Sequence, residues 1–334
     1  MPDHEADDDS RRQDRAHREL SRNGIATAII ERRMTDPGYD RISPTAKLVA
    51  ELRRWSDLPL AEVIARRIGA TAVVEAAIGG PLSPGVLQWM APLTEARYKS
   101  VQRAIERSGA PQVLELAAGF AFRGAAMASQ SLRYIETDLP EIHSERVRLA
   151  AELDLADRAE LRFAAADATE RADVERAAAL LAPDQPIAIV CEGLFQYLTR
   201  DEKRQTALAI AALLDRAGGV WCTPDLETTD DPIFREWTDP QFAAIGAYLA
   251  RATRRDMAGA AFTSRADVIS FFTDLGFEVA HQPQIDGTFE LASVARTGAS
   301  PGQLAALRAS RQMWTLTRRG QRPRTTRTST PAGS

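Results

Sequence analysis

From Pro111 onward the chain changes texture, and that change limits its possible folds more than any other feature. Short apolar runs alternate with helical stretches. QVLELAAG leads into a helix, LRYIETD into EIHSERVRLAAELD, AELRFAAADA into ERADVERAAALLA, PIAIVCEGL into RDEKRQTALAIAALLDRAGG, and GVWCTPDLE closes the series. A strand followed by a helix of this length returns to its sheet by a right-handed crossover, so the pattern specifies an α/β fold with a mainly parallel sheet. Strict alternation then stops. Residues 230–260 read as a helical insertion carrying Phe234, Trp237, Phe242 and Tyr248. The stretch SRADVISFFTDLGFEVAHQPQIDGTFELASVAR reads as a helix, a strand, a short Gly-containing link and a second strand, so the sheet should end in an antiparallel pair.

Ahead of Pro111 the period is helical, as in TAIIERRM, SPTAKLVAELRRW and LAEVIARRIGATAVVEAAI. Ser43 and Pro44 suit a helix cap and first turn, GGPLSPG (79–85) marks a loop, and PLTEARYKSVQRAIERSG reads as one helix closing at Gly109. Residues 1–20 and 318–334 carry too little apolar surface to offset ordering entropy and read as disordered tails, the second holding five arginines and no acid. The organisation expected is a helical cap (21–110), a sheet domain (111–297) with the 230–260 insertion, and a C-terminal helix (298–317). The chain is 44% hydrophobic with a formal net charge of -4, which suits a packed core and gives no reason for a nucleic-acid surface. No apolar run is long enough to span a bilayer, and the acidic, polar start is not a signal peptide, so the expectation is a cytoplasmic protein without a membrane partner. Two cysteines, Cys191 and Cys222, exclude a disulfide framework, and no cluster has metal-ligand spacing.

In a parallel sheet, ligands lie beyond the carboxyl ends of the strands, which selects the polar residues worth attention. The first strand ends in Glu115-Leu116-Ala117-Ala118-Gly119, a small-residue turn that is not GxGxxG, because Ala117 stands where a dinucleotide fingerprint has its first glycine. The second ends in Glu136-Thr137-Asp138-Leu139-Pro140, placing a carboxylate where it can accept from both ribose hydroxyls or cap the next helix. The third ends at Ala166-Asp167-Ala168, and the fourth at Cys191-Glu192-Gly193, followed by Tyr197.

The runs QVLELAAGFAFRG, YIETDLPE, AAADAT and CEGLFQYL resemble the leucine carboxyl methyltransferase family, which includes polyketide O-methyltransferases of the tetracenomycin type. The resemblance implies a Rossmann-like class I methyltransferase fold with a seven-stranded sheet, S-adenosylmethionine as cofactor and a small-molecule methyl acceptor. It also implies site roles. Glu115 and Gly119 frame the methionine part around the Ala117 turn, Asp138 holds the ribose, and Asp167 with the Ala168 backbone binds adenine. Arg97, in EARYKS, pairs with the cofactor carboxylate. Glu192 approaches the sulfonium side, with Tyr197 beside it as the second catalytic candidate. Two departures stand out: the family usually has Gly-Ala-Gly where this chain has Ala117-Ala118-Gly119, and often an acid at the position of Ala121.

Methyl transfer from a sulfonium is an in-line displacement, and a neutral phenol needs a base whereas a carboxylate does not. His143 and His281 are the only histidines beyond the N-terminal tail, and neither is placed as an obvious base, which tilts the expectation toward an ionised acceptor. Tyr197 or Asp225 remains available to orient a hydroxyl. The four aromatics of the insertion either face the acceptor or fix the insertion to the sheet. Two other readings stay open: a nucleotide-dependent oxidoreductase, disfavoured by the missing GxGxxG, and a catalytically inactive cofactor-binding or interaction module.

Overall fold

A strand covered on both faces is buried along its whole length, and Gln112–Leu116 (β1) and Ile187–Cys191 (β4) are buried at all five positions. The computed structural model describes residues 43–253 and 257–320. The expected tail 1–20, the helical segment TAIIERRM and residues 321–334 of the expected tail 318–334 lie outside the described residues, whereas Arg318, the first residue of that tail, ends a strand. The helical N-terminal region comprises α1 (Ser43–Arg53), α2 (Ala61–Arg67), α3 (Ala70–Ile78) and α4 (Pro84–Ser108). Ser83 caps α4 by accepting from the Val86 N–H with Pro84 at the first position, and Gly109 ends it in the left-handed region at φ 63°.

The sheet region continues through α5 (Arg123–Met127), β2 (Arg133–Asp138), α6 (Pro140–Glu152), β3 (Leu161–Ala165), α7 (Arg171–Ala178), β4, α8 (Arg200–Ala217) and β5 (Gly219–Thr223). The insertion holds α9 (Gln241–Thr253) and α10 (Met257–Ala260); α11 (Arg265–Asp274) and β6 (Phe277–Pro283) follow. Then come α12 (Ala292–Thr297), α13 (Pro301–Ser310) and β7 (Gln312–Arg318). The seven strands order as β3-β2-β1-β4-β5-β7-β6, with β1 to β5 parallel and β7 antiparallel to both β5 and β6. This is the Rossmann-like class I methyltransferase fold expected from the sequence. Its topological switch point lies between β1 and β4.

Alternate residues of each strand serve opposite faces. Leu114, Leu116, Ile189, Cys191 and Trp221 belong to one core, while Val113, Ala188, Val190 and Cys222 belong to the other, beneath Val101, Ala104 and Ile105 of α4. The two cysteines are buried free thiols on adjacent strands, pointing to opposite sides. Gly219 opens β5 at φ 113°, and a Cβ there would stand 2.0 Å from the Ile187 carbonyl oxygen, so only glycine permits this approach of β5 to β4.

The antiparallel pair forms, but not from the segments expected. TFELASVAR does not supply a strand; Ala292–Thr297 is helical because buried Glu95 accepts from the Ala292 and Ser293 N–H groups and Gly298 closes the turn. The partner of β6 is β7, at the end of the stretch expected as a 298–317 helix. QMWTLTR carries a two-residue period: Trp314 and Leu316 enter one core and Met313 the other, and this overrides the helical period of LAALRAS before it.

Candidate active site

The turn after β1 is wound through left-handed conformations. Ala117 has φ 53°, Gly119 φ 54° and Phe122 φ 45°, and α5 starts directly afterwards. An L-residue with a Cβ pays about 1–2 kcal/mol in this region relative to glycine. Part of that is offset by the lower chain entropy of unfolded alanine, so Ala117→Gly is expected to raise stability by about 0.5–1 kcal/mol in urea unfolding. A midpoint that stays put or falls would mean the turn holds Ala117 without strain.

The winding returns Arg123 beneath the strand ends, where it is fully buried and pairs with Glu115 through one nitrogen and with Glu192 through another. Tyr134 donates to the second oxygen of Glu115 at 2.7 Å. Arg53, at the end of α1, donates to Glu192 at 2.6 Å. The Tyr98 ring of α4 lies against both guanidiniums, 4.4 Å from Arg123 and 5.4 Å from Arg53. Burial opposes ionisation of Glu192, but Arg53, Arg123 and Arg97 outweigh it and hold its pKa down at about 2.

At the end of β2, Asp138 accepts from the Gly119 N–H at 2.7 Å and the Leu139 N–H at 2.9 Å. A carboxylate has about four acceptor positions, so both oxygens retain capacity. Arg146 of α6 donates to the Gly119 carbonyl and pairs with Glu136, which also accepts from the Gly124 N–H at 2.8 Å. The turns after β1 and β2 are thereby tied together. At the end of β3, half-buried Asp167 accepts from the Thr169 N–H and hydroxyl, and Ala168 enters the core.

Asp225, beyond β5, anchors the turn after β4. It accepts from the Gly193, Leu194 and Phe195 N–H groups at 2.8, 2.7 and 3.3 Å and from Arg97 at 2.5 Å. Tyr197 is buried, its side chain bonded to Thr45, and burial pushes its hydroxyl pKa up. The structure therefore gathers Arg97, Glu115, Glu192, Gly119, Asp138 and Tyr197 around the ends of β1, β2 and β4, with Asp167 and Ala168 at the neighbouring β3 end. Glu115 faces Arg123 and Tyr134, not open space. Arg53, Arg123 and Arg146 were absent from the sequence reading. Their only signal was a basic residue set among apolar ones, as in AFRG.

Residues 59–211 match the leucine carboxyl methyltransferase family model. No curated protein matches the chain. Among solved structures, a DUF574 family protein from Streptomyces avermitilis MA-4680 shares 14% identity at TM-score 0.50, over 82% of this chain and 97% of that one. A putative methyltransferase from Thermobifida fusca YX shares 16% identity at TM-score 0.47, over 80% and 93%. The mitomycin 7-O-methyltransferase MmcR shares 14% at TM-score 0.44 over 77% of this chain, which spans 60% of MmcR. At these identities the structural likeness speaks to the fold alone.

The family match supports S-adenosylmethionine as the cofactor. The donor set fits it. Arg97 keeps a buried Nε–H without an acceptor, suited to a carboxylate. Asp138 has acceptor capacity for ribose hydroxyls. A Cβ built on Gly193, at φ 80°, meets nothing within 4 Å, and one on Gly119 meets only Ala46 at 3.7 Å, so both turns leave room for a ligand at their backbones. Among the described residues, no helix is long and apolar enough to cross a membrane.

Proposed function

We propose that this protein is an S-adenosylmethionine-dependent O-methyltransferase whose small-molecule acceptor presents an already ionised oxygen, a carboxylate ahead of a natural-product hydroxyl. Glu192 carries the choice between the two. With a pKa of about 2 it is too weak a base to take a phenolic proton at neutral pH. Tyr197 is held protonated by burial. A carboxylate needs neither of them.

When bound, the cofactor supplies an electrophilic methyl group. Asp138 holds the ribose hydroxyls, Arg97 takes the carboxylate through its Nε–H, which has no hydrogen-bond acceptor among the described residues, and Asp167 with the Ala168 backbone flanks the adenine. Ionised Glu192, fixed by Arg53 and Arg123, places negative charge near the sulfonium. Tyr197, tied to Thr45, orients the acceptor beneath α1. Alignment and exclusion of water are then the main catalytic contributions of the chain.

Calorimetric titration with S-adenosylmethionine, S-adenosylhomocysteine and NAD tests the cofactor half of this reading; micromolar binding of the first two and none of NAD is expected. Silence from all three would leave an interaction module as the better account of the chain. Asp138→Ala is expected to weaken S-adenosylmethionine binding by about 1–3 kcal/mol with the fold intact. Unchanged affinity would remove Asp138 from the site. Turnover of matched acids and phenols then decides the acceptor, and a preference for phenols would refute the ionised-acceptor reading.

A further inference from the structure

We infer that Arg311 and the aromatic pair Phe234 and Trp237 form a subsite for an aromatic carboxylate, distinct from the cofactor-binding residues. Arg311 lies between α13 and β7, and its backbone is fixed at both sides: its N–H donates to the Leu307 carbonyl and its carbonyl accepts from the Gln284 N–H. Its side chain is 3% exposed, yet none of its three guanidinium nitrogens makes a hydrogen bond. Buried polar groups are nearly always satisfied, and a guanidinium that is ion-paired but makes no directed hydrogen bond has capacity for a further acceptor.

The surroundings supply charge balance but not that acceptor. Glu227 stands 3.1 Å and Asp231 3.6 Å from Arg311 as ion pairs. Asp231 is already engaged by the Ser310 hydroxyl and the Ile233 N–H. The cleft that Arg311 lines with Pro224, Thr228 and Arg265 has room of about 20 Å³, enough for an oxygen-sized group and too little for a ring. A ring belongs outside it, and an aromatic pair lies against the Arg311 guanidinium. Phe234 is 42% exposed with its ring 5.3 Å from the Arg311 guanidinium, and Trp237 lies 5.6 Å away. The two rings meet edge to face at 5.2 Å. Trp237 contributes a second buried donor without an acceptor, its Nε1–H.

The other aromatics of the insertion do different work. Phe242 stacks on Trp237 at 4.9 Å and packs toward Trp89, while Tyr248 is buried against Leu48 and Val86. They attach the insertion to the helical cap; Phe234 is left facing outward. The cleft is also close to the site described above. The same oxygen of Glu227 that faces Arg311 lies 3.9 Å from Arg97, so one carboxylate group separates the two guanidiniums. As an acceptor subsite this inference rests on the methyltransferase reading and narrows it to aromatic acids; as an anion site it does not depend on that reading.

Benzoate and benzamide, equal in shape and different in charge, are the probes. Each is titrated into the full-length protein while tryptophan emission is followed, with Trp237→Phe to identify the reporter, and S-adenosylmethionine affinity is measured by calorimetry on the same preparation. Benzoate is expected to quench with saturation, and benzamide to bind at least about tenfold more weakly. Arg311→Gln should reduce benzoate affinity by a similar factor, with Arg311→Lys recovering part of it. Because Arg311 is buried, Phe234→Ala provides a test at an exposed position: several-fold weaker benzoate binding at unchanged S-adenosylmethionine affinity. Equal binding of benzamide, or undiminished benzoate binding by folded Arg311→Gln, overturns the proposal. Benzoate binding without S-adenosylmethionine binding keeps the anion site and removes the methyltransferase reading; the reverse removes the site alone.

Discussion

Arg123→Met is expected to cost about 3–5 kcal/mol of stability at neutral pH, because it leaves two buried carboxylates without their shared counter-charge. Glu115 would retain only the Tyr134 hydroxyl, and Glu192 only Arg53 at 2.6 Å with Arg97 at 4.0 Å. The loss should depend on pH with a definite sign. In the parent protein Glu192 has a folded pKa of about 2 against an ordinary value of 4.5. Its contribution, of order 3 kcal/mol, is therefore fully present above about pH 4.5 and fades as pH falls toward 2. Removing Arg123 raises the folded pKa of Glu192 and so diminishes that contribution. Urea unfolding at a series of pH values should show the variant's deficit largest near pH 7 and shrinking below pH 5. A deficit independent of pH would assign the role of Arg123 to packing on Tyr98 instead of to charge.

The second large effect is expected at Asp225. Its side chain is fully buried and accepts from three consecutive backbone N–H groups of the turn after β4 as well as from Arg97. Asp225→Ala leaves those donors without a partner and strips Arg97 of its nearest counter-charge, since Glu192 and Glu227 stand only at 4.0 and 3.9 Å. The expected loss is about 3–5 kcal/mol in urea unfolding. Under the proposed cofactor site, S-adenosylmethionine affinity should fall as well, because Arg97 and the Gly193 turn lose their fixed positions. Asp225→Asn, which keeps an acceptor for the turn but not the charge, should fall between the two proteins in stability. If Asp225→Asn retained full stability, the ion pair would count for little and the backbone bonds for nearly all of it.

Both effects arise from residues whose importance a linear reading undervalued. In the linear pattern Asp225 stands only as a group able to orient a hydroxyl, and Arg123 carries no role. A short apolar run ending in an acid or small residue marks a strand end wherever it occurs, so Glu115, Asp138, Asp167 and Glu192 were visible one by one. The arginine partners of Glu115 and Glu192 lie 8 to 139 positions away along the chain, Arg123 from Glu115 and Arg53 from Glu192, and no local pattern encodes those distances. The same holds for β7, whose two-residue period was present in QMWTLTR but masked by the helical run before it.

The sequence by itself determined the alternation of strands and helices, and with it the mainly parallel sheet and the identity of the strand-end acids, because side-chain periodicity and turn residues are local properties. Only the tertiary structure decided which of those acids are paired. Left-handed backbone at Ala117, Gly119 and Phe122 turns Arg123 back under β1, and the packing of α1 and α4 over the sheet brings in Arg53 and Arg97. Charge balance in a buried site is set by the distances between groups, and those distances exist only once the chain has folded.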